Sequence, residues 1–259
     1  MKRAGAIAAL TLCVLAASMV SSCSPTSPVG VMEKCIATAK DVTSYRARIE
    51  FDADAQGKTL TYTATYEQAP GGKARVTHMA FDQTADIKGQ VYVQGRYEYV
   101  YPVQEQWYRF DKSDAAGQDM MEEMAMLQGF SDKATFESQD GVSWKVSATA
   151  GPEWIRKNLL ENPRYSTGLS ADEIKELSRI VKVKLLLEVQ KKTYLPLGYR
   201  TDTDIQAPDT PGLKQSMSVE FSDVDKDFEI VIPPEALEAK VALQGMPPPR
   251  LPDLAPVSF

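Results

Sequence analysis

Histidine is almost missing from this chain: His78 is the only one in 259 residues. Cysteine is scarce too, at Cys13, Cys23 and Cys35. A zinc site needs several nitrogen or sulfur ligands, so one imidazole beside so few thiols falls short. No nucleophile motif of the Gly-x-Ser-x-Gly type occurs, and there is no triad to propose. Gly71-Gly72-Lys73 lacks the rest of a phosphate loop and reads as a turn. Basic runs are also absent, and the formal net charge is −6. That excludes a nucleic-acid interface. The acidic pairs Asp52/Asp54 and Asp202/Asp204 could hold calcium weakly, but their place on polar strand faces points to a solvated surface. These absences predict no catalytic residues, no metal and no cofactor, and leave binding as the open function.

What is present begins with the leader. Lys2 and Arg3 form a positive region, and an apolar stretch follows from Ala6 to Val20. That stretch is too short and too rich in small residues for a permanent transmembrane helix. It ends in Val20-Ser21-Ser22-Cys23, a branched apolar residue, two small residues and a cysteine. This lipobox resembles that of bacterial lipoproteins. The resemblance implies cleavage before Cys23, acylation of its sulfur with a palmitate-type chain, and a covalent lipid anchor. The other reading is an ordinary signal peptide cleaved nearby. Cys13 lies inside the apolar run after Leu12, and Cys35 follows Lys34 with no apolar run behind it, so neither competes with Cys23. The expected location is extracytoplasmic, on the outer leaflet of the cell membrane or on an outer membrane. Cleavage leaves 27 basic residues (29 less Lys2 and Arg3) against 35 acidic ones, a formal charge of −8. Such a chain is repelled by anionic lipid head groups, so the anchor must hold it there. Cys35 then remains as the lone free thiol, and no internal disulfide can form.

The rest divides into a lipidated tether at 23–30, one domain over 31–240 and a Pro-rich tail over 241–259, expected to be extended or disordered. Val31, Cys35 and Val42, with Met32, Ile36 and Ala39, predict an amphipathic helix ending near Lys40. From Ser44 the period becomes two. Tyr45, Ala47, Ile49, Phe51 and Ala53 alternate with charged residues, then Leu60, Tyr62, Ala64 and Tyr66 with threonines. Similar alternation through Ala74–Ala80, Val91–Val93, Tyr97–Tyr101 and Trp107–Phe110 predicts a β-meander. Residues 114–129 read as a helix. Val142–Ala148 reads as a strand, Pro152 opens a helix, and Ser170 with Glu173 forms a capping box for another. Further strands follow at Val183–Val189, Leu197–Tyr199 and Met217–Phe221, and Pro233-Pro234 is expected to end the fold. So many antiparallel strands cannot stay flat. The expected fold is α+β: a strongly curved antiparallel half-barrel sheet wrapped over an N-terminal helix and inserted helices.

Several segments carry a family likeness: Asp41-Val42-Thr43-Ser44-Tyr45-Arg46-Ala47, Tyr66-Glu67-Gln68-Ala69-Pro70 with Arg75, Lys192-Thr193-Tyr194-Leu195-Pro196-Leu197, and Val224-Asp225-Lys226-Asp227-Phe228-Glu229-Ile230-Val231-Ile232-Pro233. Together they resemble the LolA/LolB-like superfamily, and within it the LppX-type lipid-binding lipoproteins. The resemblance implies a half-barrel that holds acyl chains in its hollow. The lipobox departs from the freely soluble carriers of that superfamily, and their basic residues around the mouth have no match here.

Met120, Met121, Met124 and Met126 fall close together, with Leu127 one turn further on. Methionine suits promiscuous apolar sites. The expected ligand cavity is therefore lined by Met120, Met121, Met124 and Leu127, with Trp154, Ile155 and Leu159 on a second lip. The competing reading of both groups is plain core packing. The function expected is a membrane-anchored, non-catalytic monomer that binds or transfers a lipid or other acyl-bearing ligand, a lipoprotein among them. The alternative is a protein-interaction or sensory lipoprotein with a filled core and no cargo.

Overall fold

The computed structural model describes residues 27–55, 58–71, 74–83, 88–103, 106–111, 119–161, 170–206 and 212–241. The leader, Cys23 and the Pro-rich tail beyond residue 241 lie outside the described residues. Helix α1 (Pro28–Ala39) comes first. Ser27 caps it by accepting from the Gly30 amide at 3.0 Å, and Pro28 occupies the first turn, where its missing N–H costs nothing. The last residues read as tether are thus already helix. Its buried stripe is Val31, Met32, Cys35, Ile36 and Ala39, as the spacing required.

Strands β1 (Tyr45–Ala55), β2 (Lys58–Gly71), β3 (Ala74–Gln83), β4 (Lys88–Gln94), β5 (Tyr97–Val103) and β6 (Gln106–Asp111) form an antiparallel meander. Gly95 turns β4 into β5 at φ 57°, a conformation that suits a residue without Cβ. A short helix α2 (Met120–Glu123) runs on as a 3-10 helix over Met124–Lys133. Then come β7 (Thr135–Gln139), β8 (Ser143–Thr149), helices α3 (Pro152–Glu161) and α4 (Ala171–Ile180), and strands β9 (Val181–Gln190), β10 (Pro196–Ile205) and β11 (Leu213–Ser222). The capping box of α4 is present in full, with Ser170 and Glu173 each bonding the other's backbone. β11 returns to pair with β1, which joins the two meanders into one open, curved antiparallel sheet. The α+β half-barrel expected from the sequence is the fold observed.

Helix α1 and the Met-bearing segment lie on one face of this sheet. They share a core with Tyr45, Ala47 and Ile49 of β1 and with Val183, Leu185, Leu187 and Val189 of β9. Two features were not anticipated. Strand β7 reads as mostly exposed, with only Phe136 turned inward among its polar neighbours, so alternation alone hardly marks it. The chain also keeps packing past Pro233-Pro234. Pro234 opens a one-turn helix α5 (Pro234–Leu237), where a proline is tolerated, and β12 (Lys240–Val241) pairs in parallel with β6. Residues 223–241 therefore form a strap over the outer face. Its Ile230, Ile232 and fully buried Ala236 cover Tyr92, Tyr99 and Trp107.

Candidate functional site

The sheet register tells which side chains share the inner face. One row runs Ala47, Tyr66, Met79, Val91, Val100, Tyr108 from β1 to β6. The next runs Tyr45, Gln68, Thr77, Val93, Glu98, Phe110. The apolar residues of these rows fall into two separate clusters. The β1–β3 end joins the large core that the helices fill. On β4–β6, Val91, Val100, Tyr108 and Phe110, with Val93 at the margin, form a second buried cluster, whose members among the described residues are all on strands.

At the β1–β2 end sits a buried polar junction. Asp119 immediately precedes α2 and caps it, its Oδ1 accepting from the Met121 amide at 2.9 Å. The same oxygen accepts from the Tyr45 hydroxyl at 3.0 Å, and Oδ2 accepts from Gln68 Nε2 at 3.0 Å. Tyr45 in turn accepts the Met120 amide at 2.9 Å, and Tyr66 donates to Gln68 Oε1 at 3.1 Å. The Tyr45 and Tyr66 rings stack 5.5 Å apart. Burial, then the neighbouring Tyr66 and Asp119, push the Tyr45 hydroxyl well above the usual tyrosine range. It is a fixed neutral donor. The junction ties the start of the methionine segment to β1 and β2.

Met120, Met121, Met124 and Leu127 are all buried in the large core. Trp154 and Ile155 of α3 reach the same core. The indole of Trp154 lies edge-on to Phe130 at 4.4 Å and sits where a side chain at Gly129 would go. The described residues named for the two lips thus share one packed core, and the segments meet where Trp154 touches Phe130 and Gly129. Leu159 lies on α3, and its side chain, like that of Met126, is outside the described residues. Cys35 is buried in this core as well, and burial pushes its thiol up to about 12. It is a small apolar core residue there.

Glu98, between Val93 and Phe110 on the inner face, is buried; the outer face carries rows of charged groups. The row opposite the polar junction is Arg46, Glu67, His78, Tyr92, Tyr99, Arg109. His78 therefore points away from the core. Its Nδ1 is 3.0 Å from Glu67 Oε2, and its ring stacks on Tyr92 at 4.4 Å. Arg46 bridges Glu67 at 2.7 Å and Asp223 at 2.8 Å, and lies over the Phe228 ring of the strap. A cleft of about 600 Å³ crosses the outer face at the other end of the strands. Its rows alternate in sign: Asp54, Lys214, Asp204 and Lys182 are cross-strand neighbours. Alternation of this kind is a normal stabilising pattern of a solvated sheet face. Among the described residues no group of three or more His, Cys, Asp or Glu could hold a metal ion, so the acidic pairs do not form a calcium cage there. No described helix is long and apolar enough to cross a membrane.

Sequence reasoning missed the polar junction and the β4–β6 cluster. Alternation marked each strand's faces, but only the register lines Val91, Val100 and Tyr108 into one patch. Asp119 carried a faint signal, an N-cap residue just before the methionines.

Among solved structures, the chain is similar to the lipoprotein LppX of Mycobacterium tuberculosis, at 10% identity and a TM-score of 0.48, covering 80% of this chain and 100% of that one. It is similar to a LolA-superfamily protein from Nitrosomonas europaea, at 10% identity and a TM-score of 0.30, covering 79% and 95%. A third likeness is to a lipoprotein-sorting protein domain, of the outer-membrane type by its description, from Vibrio parahaemolyticus, at 13% identity and a TM-score of 0.29, covering 78% and 93%. No curated protein matches the sequence. The family described as a family of unknown function, DUF6612, matches residues 27–241, and the chain belongs to that family.

Proposed function

We propose that this protein is a membrane-anchored extracytoplasmic lipoprotein whose half-barrel binds an acyl-bearing ligand without catalysis. The observation that carries this reading is the divided inner face. The helices complete one half of the core, while on β4–β6 the described residues form a separate, buried apolar cluster of strand side chains. An acyl chain laid along Val91, Val93, Val100, Tyr108 and Phe110 would gain about 0.8 kcal/mol for each buried methylene. Gln106, which donates to the Tyr108 hydroxyl at 2.5 Å, offers a polar margin for a head group. Binding would be passive. The lipid anchor on Cys23 would keep the hollow at the membrane that supplies the ligand.

Native mass spectrometry of the mature chain tests this directly. A co-purified lipid mass, together with uptake of a fluorescent fatty acid, is the expected result. A clean apo mass with no uptake would remove the ligand. Val93→Glu, at the margin of the cluster, should abolish uptake while circular dichroism stays unchanged. Met120 and Met124 are unsuitable for this purpose, because charges there would unfold the core. The protein-interaction reading has its own support: Val231, Leu237 and Val241 are exposed along the strap. Pull-down with a strap variant lacking those side chains separates the two.

A further inference from the structure

The turns β7–β8 and β9–β10 bring together side chains from three distant parts of the chain. Lys34 of α1 places Nζ 4.7 Å from the centre of the Tyr194 ring and 3.5 Å from its hydroxyl. Tyr194 lies 5.2 Å from Trp144, tilted by 33°. Lys191 places its Nζ 5.7 Å from the centre of the Trp144 ring. Two half-buried rings are thus flanked by two lysines. Tyr194 has φ 60°, a left-handed conformation that bulky residues avoid and that costs about 1–3 kcal/mol. The hairpin holds it there: the Tyr194 amide donates to Gln190 O at 2.9 Å, and the Gln190 amide to Leu195 O at 2.9 Å.

Beside the rings, Val142 stands 65% exposed at the β7–β8 turn. Its carbonyl accepts the Lys191 amide at 2.9 Å, and Lys191 Nζ bonds the Asp140 carbonyl, so the two turns form one edge. Lys192 is exposed next to them. Of the nearby acids, Asp140 accepts from the Val142 and Ser143 amides, both at 2.6 Å, and also feels Lys191, Glu188 pairs with Lys145 at 3.3 Å, and Glu33 is exposed on α1. Amphipathic rings flanked by ammonium groups, with a branched apolar tip, are the chemistry of a membrane–water interface.

We propose that this edge docks on the bilayer surface, with Lys34, Lys191 and Lys192 on lipid phosphates and Val142 at the acyl boundary. The proposal rests on the lipoprotein reading and says how the anchored molecule stands. Cys23 and Ser27 are four residues apart, which span at most about 14 Å. Lys34 lies about 9 Å along α1 from Pro28. The edge is therefore within roughly 25 Å of the anchor. In a chain of net negative charge, this local basic edge supplies the attraction that the whole molecule lacks.

The test places an environment-sensitive dye on Val142→Cys, with Val231→Cys on the strap as control; the buried Cys35 stays unlabelled. The lipidated chain is reconstituted in phosphatidylglycerol-rich vesicles, and a Cys23→Ser form is added to the same vesicles from solution. Docking predicts a blue shift and quenching by brominated lipid at position 142 and neither at 231. It also predicts that Lys191→Ala and Lys192→Ala weaken the soluble form's binding about five-fold each, with circular dichroism unchanged. An unquenched dye at 142 in the anchored protein overturns the proposal. If Cys23→Ser partitions into detergent as the parent does, the anchor reading fails instead, and quenching of the soluble form still decides the docking.

Discussion

Tyr45 donates its hydroxyl hydrogen to Asp119 Oδ1 at 3.0 Å across 74 residues of sequence, and both groups are out of solvent. This contact fastens a helix start to the first strand. A carboxylate is expensive to bury, and here it is offset by the Tyr45 hydroxyl, the Gln68 amide and the Met121 backbone.

Asp119→Ala removes the cap and leaves Gln68 and Tyr45 short of an acceptor. The expected cost is about 2–3 kcal/mol, read from urea unfolding. Tyr45→Phe should cost about 1–2 kcal/mol by the same measurement. The tyrosine also sets an alkaline limit. Its folded value is raised, so the stability it contributes is intact below the unfolded value of about 10 and is lost as the pH climbs above that. Stability of the parent should fall with rising slope beyond pH ~10, and the Phe variant should show a shallower slope. Equal slopes would show that Tyr45 is not the titrating group.

Gly129→Ala tests the contact between the methionine segment and α3. A Cβ there would come 1.7 Å from Trp154 Cδ1, so the indole must leave its place against Phe130. The expected loss is about 2 kcal/mol with a changed near-ultraviolet dichroism. Gly141→Ala, where nothing lies within 4 Å, should be close to neutral.

The Cys35 thiol, pushed up to about 12 by burial, should be inert to thiol reagents in the folded chain at pH 8. Labelling should proceed only at the rate of opening and become immediate in denaturant. Fast labelling of the native protein would mean that α1 leaves the sheet readily.

Glu67 links the strap's network to pH. Burial acts to raise its value, but the hydrogen bonds from His78 and Arg46 outweigh that and hold it below the usual carboxylate range. A depressed carboxylate contributes stability above its unfolded value of about 4.3, and the contribution is lost as the pH falls through the folded value. Glu67→Gln should therefore destabilise at pH 7 and match the parent in strong acid. A difference that persists unchanged at low pH would point to packing against Tyr92 rather than charge.

Local signals survived wherever one element decided its own structure. The alternation from Tyr45 to Ala53, the Ser170–Glu173 box and the Val31–Ala39 stripe all reappear as read. Contacts between segments were less legible. Met120, Met124 and Trp154 were singled out by type, and the fold brings both groups into one core. That Tyr45, Gln68 and Asp119 meet could not be read, because hydrogen bonds between residues far apart leave no periodic trace.

The sequence alone determined the Val20-Ser21-Ser22-Cys23 motif, the acidic charge, the strand faces and the scarcity of histidine and cysteine, since each is set by residue type or by spacing within one segment. Only the tertiary structure decided that β11 pairs with β1, that His78 faces outward, that the strap covers the outer face, and that Lys34, Tyr194, Trp144 and Lys191 meet at one edge. The physical reason is register: a shift of one residue turns every side chain of a strand to the other face, and register is settled by the packing of the whole sheet.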